Sequence, residues 1–274
     1  MKKRMKDYGE NDLYLFEYPY VTINGEGTHI GKPAIFVRFQ GCKVGCVWCD
    51  SMGTWPTKKG EKFVGIKITN RDLTKYLDAE MPGTPRIWIT GGEPTEHSYE
   101  AYSFIKYMKK YGEHKRLFHM ITSGEIFDVK LLYELDYITI DIKPPSSKAD
   151  TPNEFISWCM EDRLLRQKVE FKMVVAATAD DITFARNTIF RLQQFKRDIT
   201  IQPLYWSEAE VRAEEQKAQF IKNVKGYVEK FANPVGWKSY GQFAEEFMDT
   251  TRYENVRVLP QLHKIYWPGR MNGI

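Results

Sequence analysis

Residues 34–49 read Ala34-Ile-Phe-Val-Arg-Phe-Gln-Gly-Cys-Lys-Val-Gly-Cys-Val-Trp-Cys49, an apolar run that passes directly into three cysteines. The apolar run has the length and composition of a buried strand. Cys42, Cys46 and Cys49 stand at C-x3-C-x2-C spacing, and the one other cysteine of the chain is Cys159. Three close cysteines on a loop that leaves a strand indicate a metal or iron–sulfur site ahead of a disulfide framework.

The number of cysteines narrows the kind of metal. Thiolates bind soft metals, and short cysteine runs hold iron–sulfur clusters. A closed zinc site takes four protein ligands, whereas the next histidines after the loop are the distant His97 and His114. Three thiolates on a four-iron cluster leave one iron open to a small molecule. The alternatives are a zinc knuckle with a remote fourth ligand, or cysteines that merely lie close together.

Composition places the chain among globular proteins. It has 274 residues, 42% hydrophobic and 14% aromatic, which suits a single α/β domain with a sizeable core. A net charge of +4 suits an anionic small ligand and is too slight to indicate a DNA-binding protein. No signal core follows the basic N-terminus, and no run of about 18 apolar residues occurs. We therefore expect a soluble cytoplasmic protein with no membrane contact.

Strand and helix patterns alternate along most of the chain. The predicted strands are 13–17, 34–40, 86–90, 117–122, 137–142, 169–175, 198–205 and 255–262. The predicted helices are 70–80, 99–110, 129–134, 153–167, 182–195, 207–231 and 241–250. A glycine-rich turn is predicted over 22–27. This alternation predicts right-handed βαβ units and a parallel sheet.

Every marked motif lies at or next to the carboxyl end of a predicted strand. After the cysteine loop these are Thr90-Gly-Gly-Glu-Pro94, Ser123-Gly124, Asp141-Ile-Lys143 and Gln202-Pro203. Ligands of parallel β/α proteins bind at the carboxyl ends of the strands. The motifs therefore predict one shared site at that edge of the sheet.

The cysteine loop and Gly91-Gly-Glu-Pro94 resemble the cluster motif and second-strand motif of radical S-adenosylmethionine (SAM) enzymes. Within that superfamily the chain resembles the 7-carboxy-7-deazaguanine synthase family over nearly its whole length. The resemblance rests on Ile23-Asn-Gly-Glu-Gly27, Phe36-Val-Arg38, Cys49-Asp-Ser51, Lys143-Pro-Pro-Ser-Ser-Lys148 and Arg257-Val-Leu-Pro-Gln-Leu-His263. The family often has Gln at the position of Asn24 and Thr at that of Ser51. Segments 57–68 and 206–249 match less well.

The resemblance implies a fold. It is a partial, incompletely closed (β/α)6-type barrel of the radical SAM kind, since about six β/α units are fewer than the eight of a full barrel. Residues 1–274 form a single domain, with a cluster loop at about 41–62. Segment 206–249 is expected to be a less well matched helical insertion. The family usually forms homodimers.

The resemblance also implies a reaction. The family converts 6-carboxy-5,6,7,8-tetrahydropterin to 7-carboxy-7-deazaguanine with loss of ammonia, in queuosine-type 7-deazapurine biosynthesis. A [4Fe-4S] cluster with an open iron, SAM and Mg²⁺ are its cofactors, and hydrogen is removed from C6 of the pterin. A reductant such as flavodoxin or ferredoxin supplies the electron, and no nucleic acid is contacted directly. The protein places the reactants and excludes water.

Residue roles follow from the matched motifs. The cluster ligands are Cys42, Cys46 and Cys49. The residues expected to bind SAM are Trp48, Asp50, Gly92, Glu93, Ser123, Asp141, Lys143 and Gln202, with Gly92 and Glu93 accepting its ammonium group. The residues expected to bind the substrate are Ile23, Asn24, Gly25, Arg38, Thr90, His263 and the last residue, Ile274. Ser51 is expected to bind Mg²⁺, which takes oxygen ligands and keeps several waters, with Asp50 nearby as a second candidate.

Three further residues can be interpreted from their surroundings in the sequence. Arg38 lies inside a predicted strand, and an inward arginine needs an anion, for which a substrate carboxylate is a natural partner. The alternative is an outward, exposed Arg38. Cys159 and His119 are expected to be core residues.

Two other functions are compatible with part of the sequence. A radical activase that makes a glycyl radical on a partner protein shares the cluster and Gly-Gly-Glu-Pro motifs, but it needs no pterin pocket. Arg38, the turn at Ile23 and the stretch that ends at His263 argue against it. A zinc-stabilised nucleic-acid-binding protein needs a fourth ligand, which the sequence does not supply.

Overall fold

The computed structural model describes residues 8–55, 65–126, 128–204, 237 and 239–266. The strands in these residues are β1 Asp12–Leu15, β2 Tyr20–Ile23, β3 Pro33–Phe39, β4 Ile66–Thr69, β5 Arg86–Gly91, β6 Leu117–Thr122, β7 Tyr137–Ile142, β8 Val169–Val175, β9 Ile199–Pro203 and β10 Val256–Val258. The α-helices are α1 Asn70–Glu80, α2 Ser98–Tyr111, α3 Val129–Glu134, α4 Asn153–Glu161, α5 Ala179–Leu192, α6 Tyr240–Glu246 and α7 Leu262–Tyr266. None of the helices in these ranges is long and apolar enough to cross a membrane.

The strands form one mixed sheet. Its parallel part runs in the order β10-β9-β8-β7-β6-β5-β3, and β1 and β4 extend it with antiparallel pairs. β2 pairs with β3 as a hairpin. Within the described residues no ladder joins β4 to β10, so hydrogen bonds do not close the barrel. The prediction of a partial, incompletely closed barrel is confirmed, with the short β10 as an additional parallel strand.

The core lies between the sheet and the helices on its outside. β8 is buried at every position, as expected of a parallel strand covered on both faces. α2 buries Ala101, Phe104, Ile105 and Met108, which lie three or four residues apart on one face. Cys159 is fully buried and His119 nearly so, which confirms that both are core residues.

α1 spans the residues that the sequence predicted, and its ends show why. The Thr69 side chain accepts a hydrogen bond from the Asp72 N–H at 3.1 Å and caps the N-terminus. At the other end, the buried Arg116 guanidinium donates to the carbonyls of Leu77, Met81 and Thr84. Arg116 therefore adds donors to the carbonyls at and just after the C-terminus of α1.

Two predicted helices differ from the observed ones. The prediction of one helix over 153–167 was wrong, because α4 ends at Glu161. There the Asp162 carboxylate accepts the N–H groups of Leu164 and Leu165, both at 2.9 Å, and starts a separate 3-10 turn. α5 begins earlier than predicted, because Thr178 caps it by accepting the Asp181 N–H at 3.2 Å.

The sequence missed β2, β4 and α7, which are all four or five residues long. β4 exists through its pairing with β1, between Asp12–Leu15 and Ile66–Thr69. The predicted strand over 255–262 was too long: Pro260 lacks an N–H for the ladder, and Leu262 starts α7. In place of one helix over 241–250, α6 is followed by a 3-10 segment at Met248–Arg252. The predicted helix 207–231 lies outside the described residues.

Candidate active site

A cavity of about 200 Å³ opens at the carboxyl ends of the parallel strands. It is lined by almost all of the residues that the sequence singled out: Ile23, Asn24, Gly25, Arg38, Cys42, Cys46, Trp48, Cys49, Asp50, Ser51, Thr90, Gly92, Glu93, Ser123, Asp141, Lys143 and His263. These residues come from both halves of the chain. The strand-end motifs therefore meet at one place, as the parallel topology requires.

Two residues in the predicted set are not brought to the cavity. Gln202 is fully buried and does not line it. The Gln202 amide donates to the Pro260 carbonyl at 2.8 Å and accepts from the Gly27 N–H at 3.4 Å. It fastens the loop after β2 to the C-terminal chain. Ile274 lies outside the described residues.

The cysteine loop is fixed by backbone contacts at both of its ends. Gly41 N–H donates to the Thr54 carbonyl at 2.6 Å, and Val47 N–H donates to the Ser147 carbonyl at 2.9 Å. All three cysteines are free thiols on the cavity wall. Burial raises the pKa of Cys42 to about 11 and that of Cys49 to about 12, so a metal must displace their protons in order to bind.

The thiols fit an iron–sulfur cluster better than a single metal ion. Among the described residues, no group of three or more His, Cys, Asp or Glu side chains is placed to hold one ion. In a four-iron cluster each cysteine sulfur binds a different iron. Three cysteines that line one cavity therefore suit that group, which Cys42, Cys46 and Cys49 would hold.

The Gly-Gly-Glu-Pro segment packs directly against the start of the cysteine loop. Gly92 N–H donates to the Phe39 carbonyl and Glu93 N–H to the Gly41 carbonyl, both at 3.0 Å. A Cβ on Gly92 would lie 1.7 Å from the Gly41 oxygen, so no other residue fits there without moving the backbone. The end of β5 and the cysteine loop thus form one unit.

The Glu93 carboxylate is buried and has more hydrogen-bond donors than the sequence suggested. Its Oε1 accepts from the Thr95 N–H at 3.1 Å, from the Thr95 hydroxyl at 2.7 Å and from the Thr122 hydroxyl. Its Oε2 accepts from the Ser123 N–H at 2.9 Å and the Ser123 hydroxyl at 2.8 Å. These donors fix the carboxylate. Of the three hydroxyls, those of Thr122 and Ser123 belong to residues that line the cavity, so a cation there would meet their oxygens together with the charge of Glu93.

Arg38 points inward, and the outward alternative is wrong. Its side chain is only 3% exposed and lines the cavity beside Cys42 and Thr90. One partner was missed: Nη1 lies 2.7 Å from the Glu17 carboxylate, which is itself 38% exposed. The guanidinium also lies over the Phe16 ring at 5.0 Å. A guanidinium has five N–H donors, so a second carboxylate can share it.

Buried ions lie where β7 and β8 reach the cavity. Lys172 Nζ lies 2.5 Å from Glu26 Oε2 and 3.2 Å from Asp141 Oδ2, and Lys143 Nζ lies 2.6 Å from the same Asp141 oxygen. Burial opposes ionisation of both carboxyls, but the lysines hold the pKa values of Glu26 and Asp141 below their usual range. The sequence missed Lys172 and Glu26, although a lysine inside an apolar strand was a usable signal.

Ser51 and Asp50 form a small oxygen-rich corner. The Ser51 hydroxyl donates to Asp50 Oδ1 at 3.1 Å, and His263 Nε2 lies 3.4 Å from Asp50 Oδ2. Burial would raise the pKa of Asp50, but the neighbouring His263 ring and Lys264 lower it. Adjacent hydroxyl and carboxylate oxygens fit a magnesium ion that keeps most of its waters.

Trp48 connects the cysteine loop to the Pro-Pro-Ser-Ser loop after β7. Its Nε1–H donates to the Ser146 hydroxyl at 3.0 Å. Ser146 in turn donates twice to the fully buried Asp181, at 2.9 Å from its N–H and 2.6 Å from its hydroxyl. Asp181 on α5 therefore holds the loop on which Trp48 rests. No sequence pattern linked these three residues.

The fold and the site together define the class as an α/β protein with three cysteines in the cavity at its strand ends. A family model described as a 4Fe-4S single cluster domain matches residues 23–157. The structure of QueE from Escherichia coli has a TM-score of 0.55 at 22% identity, covering 79% of this chain and 93% of that one. SuiB from Streptococcus suis, bound to S-adenosylmethionine, has a TM-score of 0.51 at 13% identity, covering 82% of this chain and 50% of that one.

Sequence relatives narrow the class further. A 7-carboxy-7-deazaguanine synthase from Bacillus subtilis is 26% identical over 256 residues, covering 92% of this chain and 95% of the relative. One from Prochlorococcus marinus is 35% identical over 108 residues, covering 38% of this chain and 45% of the relative. In the alignments of highest identity the chain thus spans about half the length of its relatives. The chain is homologous to the proteins named 7-carboxy-7-deazaguanine synthase.

Proposed function

We propose that this chain is a radical SAM enzyme that converts 6-carboxy-5,6,7,8-tetrahydropterin to 7-carboxy-7-deazaguanine with loss of ammonia. The observation that carries the proposal is that three thiols and a buried arginine line one cavity. The thiols suit a cluster, and the arginine suits a carboxylate. Full-length homology to proteins named for this product supports the same reaction.

Cys42, Cys46 and Cys49 would hold the cluster, and the groups around them would hold SAM. The Gly92 carbonyl and the Glu93 carboxylate would attract its ammonium group, with the Thr122 and Ser123 hydroxyl oxygens between. The remaining residues of the SAM set that reach the cavity are Trp48, Asp50, Asp141 and Lys143. When bound, the cluster and SAM supply the radical chemistry, and the protein supplies placement.

The substrate would be held by its carboxylate and by its ring. Arg38 would bind the carboxylate, sharing its guanidinium with Glu17. The Thr90 hydroxyl, His263 and the backbone at Ile23, Asn24 and Gly25 would contact the ring. For Gln202 the contacts favour a positioning role, because its amide holds the loop that carries Asn24 and Gly25.

A magnesium ion on the Ser51 hydroxyl, with Asp50 beside it, would add positive charge for an anionic substrate group. The electron would come from a reductant such as flavodoxin or ferredoxin. We further propose a single catalytic domain that works as a homodimer, whose product enters queuosine-type 7-deazapurine synthesis.

The test is turnover without oxygen. Protein reconstituted with iron and sulfide is mixed with dithionite, SAM, Mg²⁺ and 6-carboxy-tetrahydropterin, and products are followed by mass spectrometry. The proposal expects 7-carboxy-7-deazaguanine and ammonia in equal amounts. SAM cleavage without that product would contradict it and would favour an activase that makes a glycyl radical on a partner protein. A colourless protein that binds zinc would contradict both.

A further inference from the structure

Gln261 is a cavity residue with one unsatisfied polar atom. It directly precedes α7, lines the cavity and is only 6% exposed. Its amide nitrogen Nε2 donates to Glu26 Oε1 at 2.6 Å. Its amide oxygen Oε1 is buried and accepts no hydrogen bond from the described residues. A buried acceptor without a donor is costly, so an acceptor in a cavity wall indicates a ligand that supplies an N–H or O–H group.

The neighbours of Gln261 decide which of its amide atoms is left without a partner. A carboxylate only accepts hydrogen bonds, so Glu26 requires the NH2 group of Gln261. Glu26 Oε2 is taken by Lys172 Nζ at 2.5 Å, and an ammonium only donates. Lys172 and Gln261 therefore both donate to Glu26, which fixes the orientation of the Gln261 amide. Gln261 Oε1 is left as the acceptor that has no donor among the described residues.

The ionised state of Glu26 supports this orientation. Burial alone would raise the pKa of Glu26, but Lys172 and His263 lower it below its usual value. The loop that carries Glu26 is also fixed, because Asn24 Oδ1 accepts the Glu26 N–H at 3.3 Å. The orientation of the Gln261 amide is thus set before any ligand arrives.

Building on the proposed function, we propose that Gln261 is a specificity-determining residue whose Oε1 accepts a hydrogen bond from the pyrimidinone half of the substrate. The donors on that half are the 2-amino group and N3–H. Substrate and product both keep this half, whereas the other ring is rebuilt during the reaction. A contact to it can therefore last through turnover, and ligands without the donor leave Oε1 buried and unsatisfied.

The test compares affinities for three ligands, measured by equilibrium titration of the reconstituted protein without oxygen. The ligands are 6-carboxy-tetrahydropterin, its 2-desamino analogue and its 3-methyl analogue. The wild type should bind at least one analogue about 10- to 100-fold more weakly than the parent compound. The side chain of Gln261→Met has similar length and no amide oxygen. In this variant the ratio of the analogue Kd to the parent Kd should therefore fall below about threefold. If Gln261 only braces Glu26, all three ligands weaken equally, and an unchanged ratio overturns the proposal.

Glu26→Gln tests the orientation of the Gln261 amide without touching position 261. Lys172 would hold the oxygen of the introduced amide, which leaves its NH2 group facing Gln261. Gln261 would then turn its own oxygen inward and present its NH2 to the ligand, so the wild-type discrimination should again be lost. A folded Glu26→Gln protein with the wild-type ratio overturns the proposal. Unfolding temperature and iron content are measured for both variants to show that they are folded and loaded.

The same titrations separate this proposal from the proposed function. Wild-type protein that neither binds nor converts the parent pterin overturns both. Wild-type protein that converts the pterin, with variants that keep its discrimination between ligands, overturns only the role of Gln261.

Discussion

Polar side chains at β7 and β8 form two layers that differ in charge, each completed by one residue from another element. The cavity layer consists of Asp141 and Lys172 with Glu26 from the loop after β2, and the base layer consists of Thr139 and Glu170 with His119 from β6. Thr139 and Glu170 lie two residues before Asp141 and Lys172 on the same strands. Residues two apart in a strand share a face, so the layers are stacked about 6–7 Å apart along the barrel.

Ion pairs hold the cavity layer, whereas neutral hydrogen bonds hold the base layer. Burial raises the pKa of Glu170 to about 7 and lowers that of His119 well below its usual value. The Thr139 hydroxyl donates to Glu170, and His119 Nε2 lies 2.7 Å from that hydroxyl. Glu170 Oε2 also accepts the Thr28 N–H at 3.3 Å, which anchors the loop after β2.

This difference in charge indicates which layer of the barrel interior takes part in chemistry. Charged side chains in the interior are costly unless other fixed charges compensate them. The cavity layer keeps its charges beside the three thiols and the buried arginine. The base layer is held by hydrogen bonds of neutral groups. Through Glu170 it also contacts the loop after β2. Variants in the two layers should therefore change different properties.

The largest effect is expected at the cluster. Cys46→Ser should lower iron content and abolish product formation, a loss of at least about 1,000-fold, because the radical chemistry depends on the cluster. Iron analysis, visible absorbance and product assay measure it. Cys159→Ala is the matched control, because that thiol lies in the core. It should keep turnover, and a Cys46→Ser protein that still turns over would refute the cluster assignment.

Removing the central cation of the cavity layer should be the next largest change. Lys172→Met leaves Glu26 and Asp141 buried with one cation fewer, which should reduce the free energy of unfolding by about 3 kcal/mol. Denaturant titration near pH 7 measures the loss. Lys168→Met is a matched control from the same loop-strand segment, because the Lys168 ammonium contacts only the carbonyls of Tyr133 and Leu135 among the described hydrogen bonds. Equal losses in the two variants would contradict the buried ion pairs.

Arg38→Met should weaken substrate binding by about 100-fold, because it removes a buried cation for the substrate carboxylate. SAM binding should change little, so the ratio of the two affinities is the diagnostic measurement. Glu17→Gln removes the ion pair seen in the structure and keeps the guanidinium, so it should retain substrate affinity. If Glu17→Gln weakens binding as much as Arg38→Met, the arginine is structural.

The smallest effect is expected in the base layer, and it depends on pH. The folded state holds the Glu170 proton up to about pH 7, whereas the unfolded chain loses it near its usual pKa of 4.5. Rising pH should therefore destabilise the wild type relative to Glu170→Gln, by about 1–3 kcal/mol between pH 5 and 8. Unfolding curves of both proteins across that range measure the difference. A pH-independent difference would contradict the raised pKa, and turnover at pH 8 should be nearly unchanged.

The sequence was sufficient for the parallel core and for the location of the site. β6, β7 and β8 have the bounds that their apolar runs predicted, because a buried parallel strand leaves a continuous pattern. The parallel topology then placed the strand-end motifs at one edge. Both inferences depend on apolar runs in the local sequence and on the rule that alternating strands and helices form a parallel sheet.

Long-range pairs could not be predicted in the same way. Lys172 and Glu26 lie 146 residues apart, and Arg116 reaches back to the end of α1 across 39 residues. Nothing in either local sequence specifies the partner. β2 and β4 were not predicted for a related reason. Four residues are too few to show a periodic pattern, and each of these strands is stabilised by pairing with a neighbouring strand of the sheet.

The central claim is that cluster, SAM and substrate meet in the one cavity at the carboxyl ends of the strands. The most direct measurement follows deuterium from C6 of 6-carboxy-tetrahydropterin during anaerobic turnover, with mass spectrometry of recovered SAM and of the product. Because the resemblance implies that hydrogen is returned and SAM is regenerated in each turnover, deuterium should enter SAM while 7-carboxy-7-deazaguanine accumulates. Product without deuterium in SAM or in 5′-deoxyadenosine would contradict the central claim.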